Sequence, residues 1–352
     1  MLANFATLFA GHIPAHIDAD DVSHSAVSHA QLATVITTRE FARTADADGK
    51  LSTAVVKYFE DAEAAIGAAR RNRLSVICRL MPTRLIARWF VRGNTTDVDQ
   101  VATILFSYRA DAPEEPRGVM LTHHNLLSNL ESLRQIFRVT REDCILGLIP
   151  FSNSMSFAST LLLPALAGAR VAFGAELLGQ PGLGAFCRAN RITLIPASPA
   201  MLASILDTVE AADLPHLRQV AVGGGELDDE VRARFHAKFG VEPLQGYGCP
   251  ECAPLISLNV PDYDQPAIRQ PGTRRGSAGH PVPGVSVRIV DPSTGAPVGP
   301  GVEGMLLVSG PNLMKGYLEG ADLTNQVMKD GWYLTGDRAR VDGDGFLTIA
   351  HT

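Results

Sequence analysis

The chain has 352 residues, 46% of them hydrophobic, with 37 acidic against 31 basic side chains and a net charge of −6. At about 100–200 residues per domain, this length allows about two structural units with a large core, which excludes a disordered chain and a small disulfide scaffold. The acid excess argues against a general nucleic-acid binder, which carries a basic surplus, so no nucleic-acid partner is expected.

Residues 1–11 are apolar but lack a basic leader and run into His12 and Pro14, so they read as a buried helix piece and not as a signal peptide. His12, His16, His24 and His29 follow without matching carboxylates or cysteines, so no metal is expected there. The spacing of His16 and Asp21 is read as chance. Short apolar runs at Thr34–Thr37, 74–78, 103–106, Arg170–Phe173, 192–195 and Gln219–Val222 predict strands. Helical periodicity at 125–137, 199–209 and 228–239 predicts helices among them. Such alternation predicts an α/β fold, a mainly parallel sheet covered by helices. Residues 155–169 are apolar but interrupted by Pro164 and Gly168. They fall short of the about 20 residues of a spanning helix and read as buried.

Arg79, Arg84, Arg88 and Arg92 accompany Leu85, Ile86, Trp89 and Phe90 at near-helical spacing. Either a solvated arginine face or a basic amphipathic helix on an anionic membrane fits that pattern. From Gly276 onward glycines and prolines punctuate short alternating runs at 285–290, 304–308 and 345–349, which predict an antiparallel β subdomain. The expected division is therefore an α/β core over 1–275 and a β-rich part over 276–352. Five cysteines are scattered, and Cys249 and Cys252 form a C-x-x-C with no second pair to complete a zinc site. Reduced thiols in a cytoplasmic protein are expected.

Four stretches, in order, carry a family resemblance: Pro116-Arg-Gly-Val-Met-Leu-Thr-His-His-Asn125, Pro150-Phe-Ser-Asn-Ser154, Gly246-Tyr-Gly-Cys-Pro-Glu251 and Gly331-Trp-Tyr-Leu-Thr-Gly-Asp337. Together they resemble the adenylate-forming superfamily of acyl-CoA synthetases, luciferases and peptide-synthetase adenylation domains. Among its branches, the chain looks most like long-chain fatty acid ligases and the acyl-acyl-carrier-protein synthetase half of acyl-glycerophosphoethanolamine acyltransferases. The resemblance implies magnesium- and ATP-dependent activation of a fatty acid to acyl-AMP, then transfer to coenzyme A or an acyl carrier protein. It implies that Glu251 holds the magnesium and that Tyr247 stacks near the adenine between Gly246 and Gly248. It also implies that Gly224, Gly225 and Glu226 wall the adenine and that Asp337 accepts hydrogen bonds from the ribose hydroxyls, as a two-oxygen acceptor suits a vicinal diol. His123 and His124 are expected to open a helix near Thr122.

The sequence departs from the family at its phosphate loop. Relatives carry a glycine- and hydroxyl-rich run whose N–H groups cradle phosphates. Here the run from Ser107 to Arg117 has no glycine, two prolines without an N–H, and Asp111, Glu114 and Glu115 against Arg109 and Arg117. Asn153 stands where relatives have a histidine, and with Ser154 it is a candidate for the acyl pocket. Pro250 replaces a hydroxyl donor. The resemblance further implies additional N-terminal sequence, and beyond Thr352 a mobile domain that carries the adenylation lysine. Two readings stand: a ligase whose activity is impaired in this chain, or a non-catalytic relative that binds acyl chains or a partner. Cytoplasmic residence with contact at the inner face of the membrane is expected.

Overall fold

The computed structural model describes residues 2–17, 32–45, 55–90, 97–109, 112–265 and 268–350. Asp21, His24, His29, Arg92 and Asp111 lie outside them. The chain divides into two compact units, Met1–His123 with Lys315–Gly320, and His124–Met314 with Ala321–Thr352.

The first unit contains helices α1 (Leu2–Phe9), α2 (Arg39–Ala45), α3 (Phe59–Ile66), α4 (Ala68–Leu80) and α5 (Thr83–Phe90). Its strands are β1 (Ala15–His16), β2 (Thr34–Thr37), β3 (Val55–Tyr58), β4 (Val101–Arg109) and β5 (Ala112–Thr122). A sheet runs β1-β4-β5 and ends on Gly316–Tyr317, while β2 and β3 pair in parallel. Two expectations are corrected here. Residues 74–78 are not a strand but the second half of α4. The run is bracketed by Gly67 and Pro82, with thirteen residues between Ala68 and Leu80 free of either, and Leu74 and Ile77 face inward at helical spacing. Helix α1 is half-buried at most, with Phe9 51% exposed.

The second unit is built on a mixed sheet of seven strands. Its named strands are β6 (Cys144–Gly147), β7 (Arg170–Phe173), β8 (Leu194–Ala197), β9 (Gln219–Val222), β10 (Pro243–Gly248) and β11 (Leu255–Leu258), ordered β11-β10-β9-β8-β6-β7, with His280–Pro281 beyond β11. Strands β6 to β10 are parallel, and β11 turns back against β10. Side chains alternate between two cores, as the pleat requires. Cys144, Leu146, Ile195, Ala197, Val220 and Val222 enter one core. It is closed by α7 (Leu183–Asn190), α8 (Pro199–Thr208) and α9 (Asp229–Phe239) through Leu183, Leu202, Ile205 and Phe235. Ile145 and Leu194 enter the other, closed by α6 (His123–Phe137) through Leu130, Leu133 and Phe137. Two-sided burial explains why these strands read as nearly continuous apolar runs.

Apolar residues 155–169 lie in a helical segment that is α at Ser154–Ser156, π at Phe157–Leu162 and α again at Leu163–Ala167. No helix among the described residues is long and apolar enough to cross a membrane. C-terminal to the mixed sheet, β12 (Ser286–Val290), β13 (Gly304–Ser309), β14 (Trp332–Val341) and β15 (Leu347–Ala350) form an antiparallel sheet with Met328–Lys329.

One partly buried ion pair, with Asp143 buried and Arg218 half-exposed, ties the start of the parallel sheet together. The Asp143 carboxylate accepts bonds from Arg218 Nε at 2.8 Å and Nη2 at 2.9 Å, from the Thr140 amide at 2.8 Å and from the Thr193 hydroxyl at 2.8 Å. Burial pushes this carboxyl up, but the Arg218, Thr140 and Thr193 donors outweigh it and hold the group down at about 2. The depressed value means its stabilisation is complete above the ordinary value near 3.8 and lost as pH falls through about 2. Asp143→Ala is expected to lower unfolding stability by about 2 kcal/mol at neutral pH, because the charge-assisted bonds that Arg218, Thr140 and Thr193 give the carboxylate are lost, while Arg218 stays partly solvated. In urea titrations over a pH series, the gap between wild type and variant should close towards about pH 2; a pH-independent gap would refute the assignment.

Candidate functional site

The carboxyl ends of the parallel strands share one edge, and the strand order reverses between β6 and β8, since β7 follows β6 on one side and β8 lies on the other. In open α/β sheets such a reversal opens a crevice where ligands bind. The loops that leave this edge include 148–153 after β6, Ser198 after β8, 223–226 after β9 and 249–252 after β10.

After β9, the Gly223 amide donates to Ala197 O at 3.1 Å, and Gly224 takes a left-handed conformation with φ +78°. A Cβ on Gly223 would stand 3.2 Å from Met155 Sδ, and one on Gly225 would stand 3.4 Å from Pro199 Cγ. Gly224, Gly225 and Glu226 are exposed. The turn is therefore a bare backbone ledge beside the start of the helical segment.

After β10 the chain is fixed more tightly. A Cβ on Gly246 would meet Leu258 Cδ1 at 2.8 Å, and one on Gly248 would lie 2.1 Å from Pro254 O, so only glycine fits at Gly248 without moving the backbone. The Cys249 amide donates to Pro254 O at 3.0 Å, and Pro250–Cys252 forms one 3-10 turn. Glu251 is 4% exposed, and its carbonyl accepts the Met314 amide at 2.8 Å. The Asn312 amide group donates to Cys252 O at 2.7 Å, so backbone contacts on both residues pin the turn. A hydrogen bond with the free Cys252 thiol, burial and the Cys252 and Glu251 charges push the Cys249 thiol well up.

The T-G-D stretch has a local explanation. In the β13–β14 register Met305 faces Arg338 and Leu307 faces Leu334, which leaves Leu306 alone opposite Thr335, Gly336 and Asp337. This bulge is held by the Thr335 hydroxyl, which donates to Leu306 O at 3.0 Å and accepts the Asp337 amide at 3.0 Å. Gly336 supplies the required φ of +87°. The result is an exposed Asp337 carboxylate on a rigid bend. The Tyr247 hydroxyl donates to its Oδ2. Burial, then the Cys249 and Asp337 charges, push the Tyr247 hydroxyl up, so it keeps its proton. The structure thus joins two of the expected site residues, 90 positions apart in sequence. Neither motif alone signals that bond, which joins a residue of β10 to one of β14.

Asn153 and Ser154 lie at the head of the helical segment. Asn153 is its N-cap, accepting the Met155 amide at 2.9 Å and the Ser156 amide at 3.3 Å, and Ser154 is buried. A π-turn follows at Phe157–Leu162, a feature frequent at functional sites that the apolar sequence does not reveal.

Ser107, Arg109 and Arg117 belong to the first unit. The run expected to act as a phosphate loop is a β-hairpin: Ser107 pairs with Arg117 and Arg109 with Ala112, across a bulge that takes up residues 113–116. Pro116 is buried, and the Arg117 guanidinium lies 5.6 Å from the centroid of Tyr317. Helix α6 does begin at His123.

Among the described residues, no group of three or more His, Cys, Asp or Glu side chains could hold a metal by itself. A single buried carboxylate such as Glu251 still suits magnesium, which is commonly held by one or two carboxylates together with substrate phosphates.

Residues 1–318 match the AMP-binding enzyme family. A feruloyl-CoA synthase from Amycolatopsis sp is 32% identical over 247 residues, 70% of this chain and 48% of that protein. A long-chain-fatty-acid–CoA ligase from Salmonella typhimurium is 32% identical over 238 residues, 66% of this chain and 41% of that one. The chain spans about half the length of these curated relatives. ATP-bound MatB from Rhodopseudomonas palustris superimposes with a TM-score of 0.75 at 24% identity, over 98% of this chain and 65% of that one. A benzoate CoA ligase from Burkholderia xenovorans gives a TM-score of 0.76 at 20% identity, over 98% and 65%. These likenesses establish the α/β fold of adenylate-forming enzyme domains.

Two glycines separate strain from steric exclusion. Gly224→Ala, with open space around it, is expected to cost about 1 kcal/mol from its left-handed backbone alone. Gly248→Ala drives a Cβ into Pro254 O and is expected to cost about 3 kcal/mol or more. Comparison of the two melting temperatures checks this, and equal losses would show that the turn after β10 yields freely.

Proposed function

The chain belongs to the AMP-binding enzyme family, and from that premise we propose that it forms the nucleotide site of a ligase that activates a fatty acid with ATP, giving acyl-AMP for transfer to a thiol. The observation that carries this reading is the Tyr247–Asp337 bond, which holds an exposed two-oxygen acceptor beside the strand end that leads to Glu251. In this reading the ribose diol bonds Asp337, the adenine lies between Tyr247 and the ledge of Gly224, Gly225 and Glu226, and Glu251 meets magnesium on the phosphates. Gly246 and Gly248 bring the backbone of β10 close to the nucleotide. Asn153 and Ser154, at the head of a segment that touches the Gly223 turn, are assigned to the acyl side. Coenzyme A is favoured over a carrier protein as acceptor because both ligases this chain resembles are CoA ligases by name, and the Salmonella relative favours a fatty acid as substrate.

A second reading is favoured by the hairpin. Ladder pairing around Ser107 and Arg117 engages backbone that a phosphate cradle leaves free, so the site would bind AMP better than ATP and serve as a non-catalytic acyl- or partner-binding module.

Calorimetry on the 352-residue chain with magnesium-ATP, with AMP and with a non-hydrolysable acyl-sulfamoyl adenosine distinguishes the two. For the ligase reading, ATP and the acyl mimic bind, and Asp337→Ala weakens both about tenfold to a hundredfold through loss of charge-assisted bonds. Glu251→Gln should weaken magnesium-ATP and leave AMP unchanged. Binding of AMP without ATP supports the second reading, and no binding of any nucleotide by folded protein refutes both assignments of the site.

A further inference from the structure

The first unit carries a surface whose charge balance is opposite to that of the chain. Helices α4 and α5 and their link hold six arginines, Arg70, Arg71, Arg73, Arg79, Arg84 and Arg88, and no acidic residue, in a protein of net charge −6. On α4, Leu74 and Ile77 are half-buried, while Arg73, Val76 and Leu80 follow at i, i+3 and i+7 along an exposed stripe. Val76 is 55% exposed and Leu80 79%. On α5 the exposed Arg84 and Arg88 flank Leu85, itself 42% exposed.

Single exposed aliphatic residues are ordinary; three set among arginines on successive helices form a mixed surface that needs two kinds of counterpart at once. A nucleic acid offers phosphates without an apolar layer beneath them, and water satisfies the guanidinium groups but not the leucines. An anionic bilayer offers a phosphate layer over acyl chains, the arrangement that a basic amphipathic helix matches. We propose that α4 and α5 form a docking surface for anionic phospholipid membranes, with Arg79, Arg84 and Arg88 at the headgroups and Leu80 and Leu85 inserted below them. The proposal uses neither nucleotide nor acyl binding, so its test stands whatever the fate of the ligase reading.

Sedimentation of the full chain with vesicles tests it. Phosphatidylcholine vesicles that contain phosphatidylglycerol should carry the protein down, pure phosphatidylcholine vesicles should not, and added sodium chloride should release it. Replacing Arg79, Arg84 and Arg88 together by serine should weaken binding about a hundredfold, at about fivefold per arginine. Leu80→Ser with Leu85→Ser should weaken it about tenfold through lost insertion. Equal sedimentation with both vesicle types, or no sedimentation with either, overturns the proposal using unmodified protein alone. Undiminished binding by the leucine variant, with full competition by heparin, also overturns it and marks the surface as a general polyanion patch. Unchanged melting curves confirm that the variants are folded.

Discussion

Two-sided burial of the parallel strands is the constraint on which the second unit depends. Because β6, β8 and β9 send alternate side chains into two cores, their direction and register are fixed along their whole length. Candidate groups for chemistry then gather at the carboxyl ends of these strands, with Tyr247 near the end of β10 itself. The site is therefore a set of loops on a common rigid edge, and Asp143 with Arg218 anchors the opposite end of the same strands.

The geometry of the candidate site is set by backbone devices more than by side-chain variety. Gly248 lets β10 approach Pro254, after which one 3-10 turn sets Glu251 into a buried position. Thr335, Gly336 and Asp337 work as a unit: a hydroxyl that both donates and accepts, a left-handed glycine and a carboxylate thrown outward by the bulge. Replacing Thr335 or Gly336 would move the carboxylate, so the spacing of the motif is a statement about bulge geometry as much as about ligand contact. Tyr247, which keeps its proton, closes the arrangement by bonding Asp337.

Much of this was legible in the sequence because the signals were local. Strand–helix alternation predicted the parallel sheet, and the glycine–proline punctuation after Gly276 predicted the antiparallel one. The failure at 74–78 was also local: an apolar run of that length has no period of its own, and the absence of helix breakers from Ala68 to Leu80 decides it. What could not be read were contacts between distant segments. The Tyr247–Asp337 bond spans 90 residues, and the π-turn at Phe157–Leu162 depends on packing in a segment whose composition is uniformly apolar.

The hairpin at Ser107–Arg117 unites sequence and structure in one argument about chemistry. Loss of glycine and gain of proline remove conformational freedom and N–H donors, and the structure uses what remains for ladder pairing, Ser107 with Arg117 and Arg109 with Ala112. A backbone donor cannot serve a β-ladder and a phosphate at once. A hairpin that binds triphosphate must open at the bulge over residues 113–116, at the cost of bonds worth about 0.5–1.5 kcal/mol each. The ribose and adenine contacts proposed for Asp337, Tyr247 and the Gly223 turn would carry no such cost. Comparison of AMP with ATP affinity therefore tests the proposed phosphate role of the hairpin without any need to observe turnover.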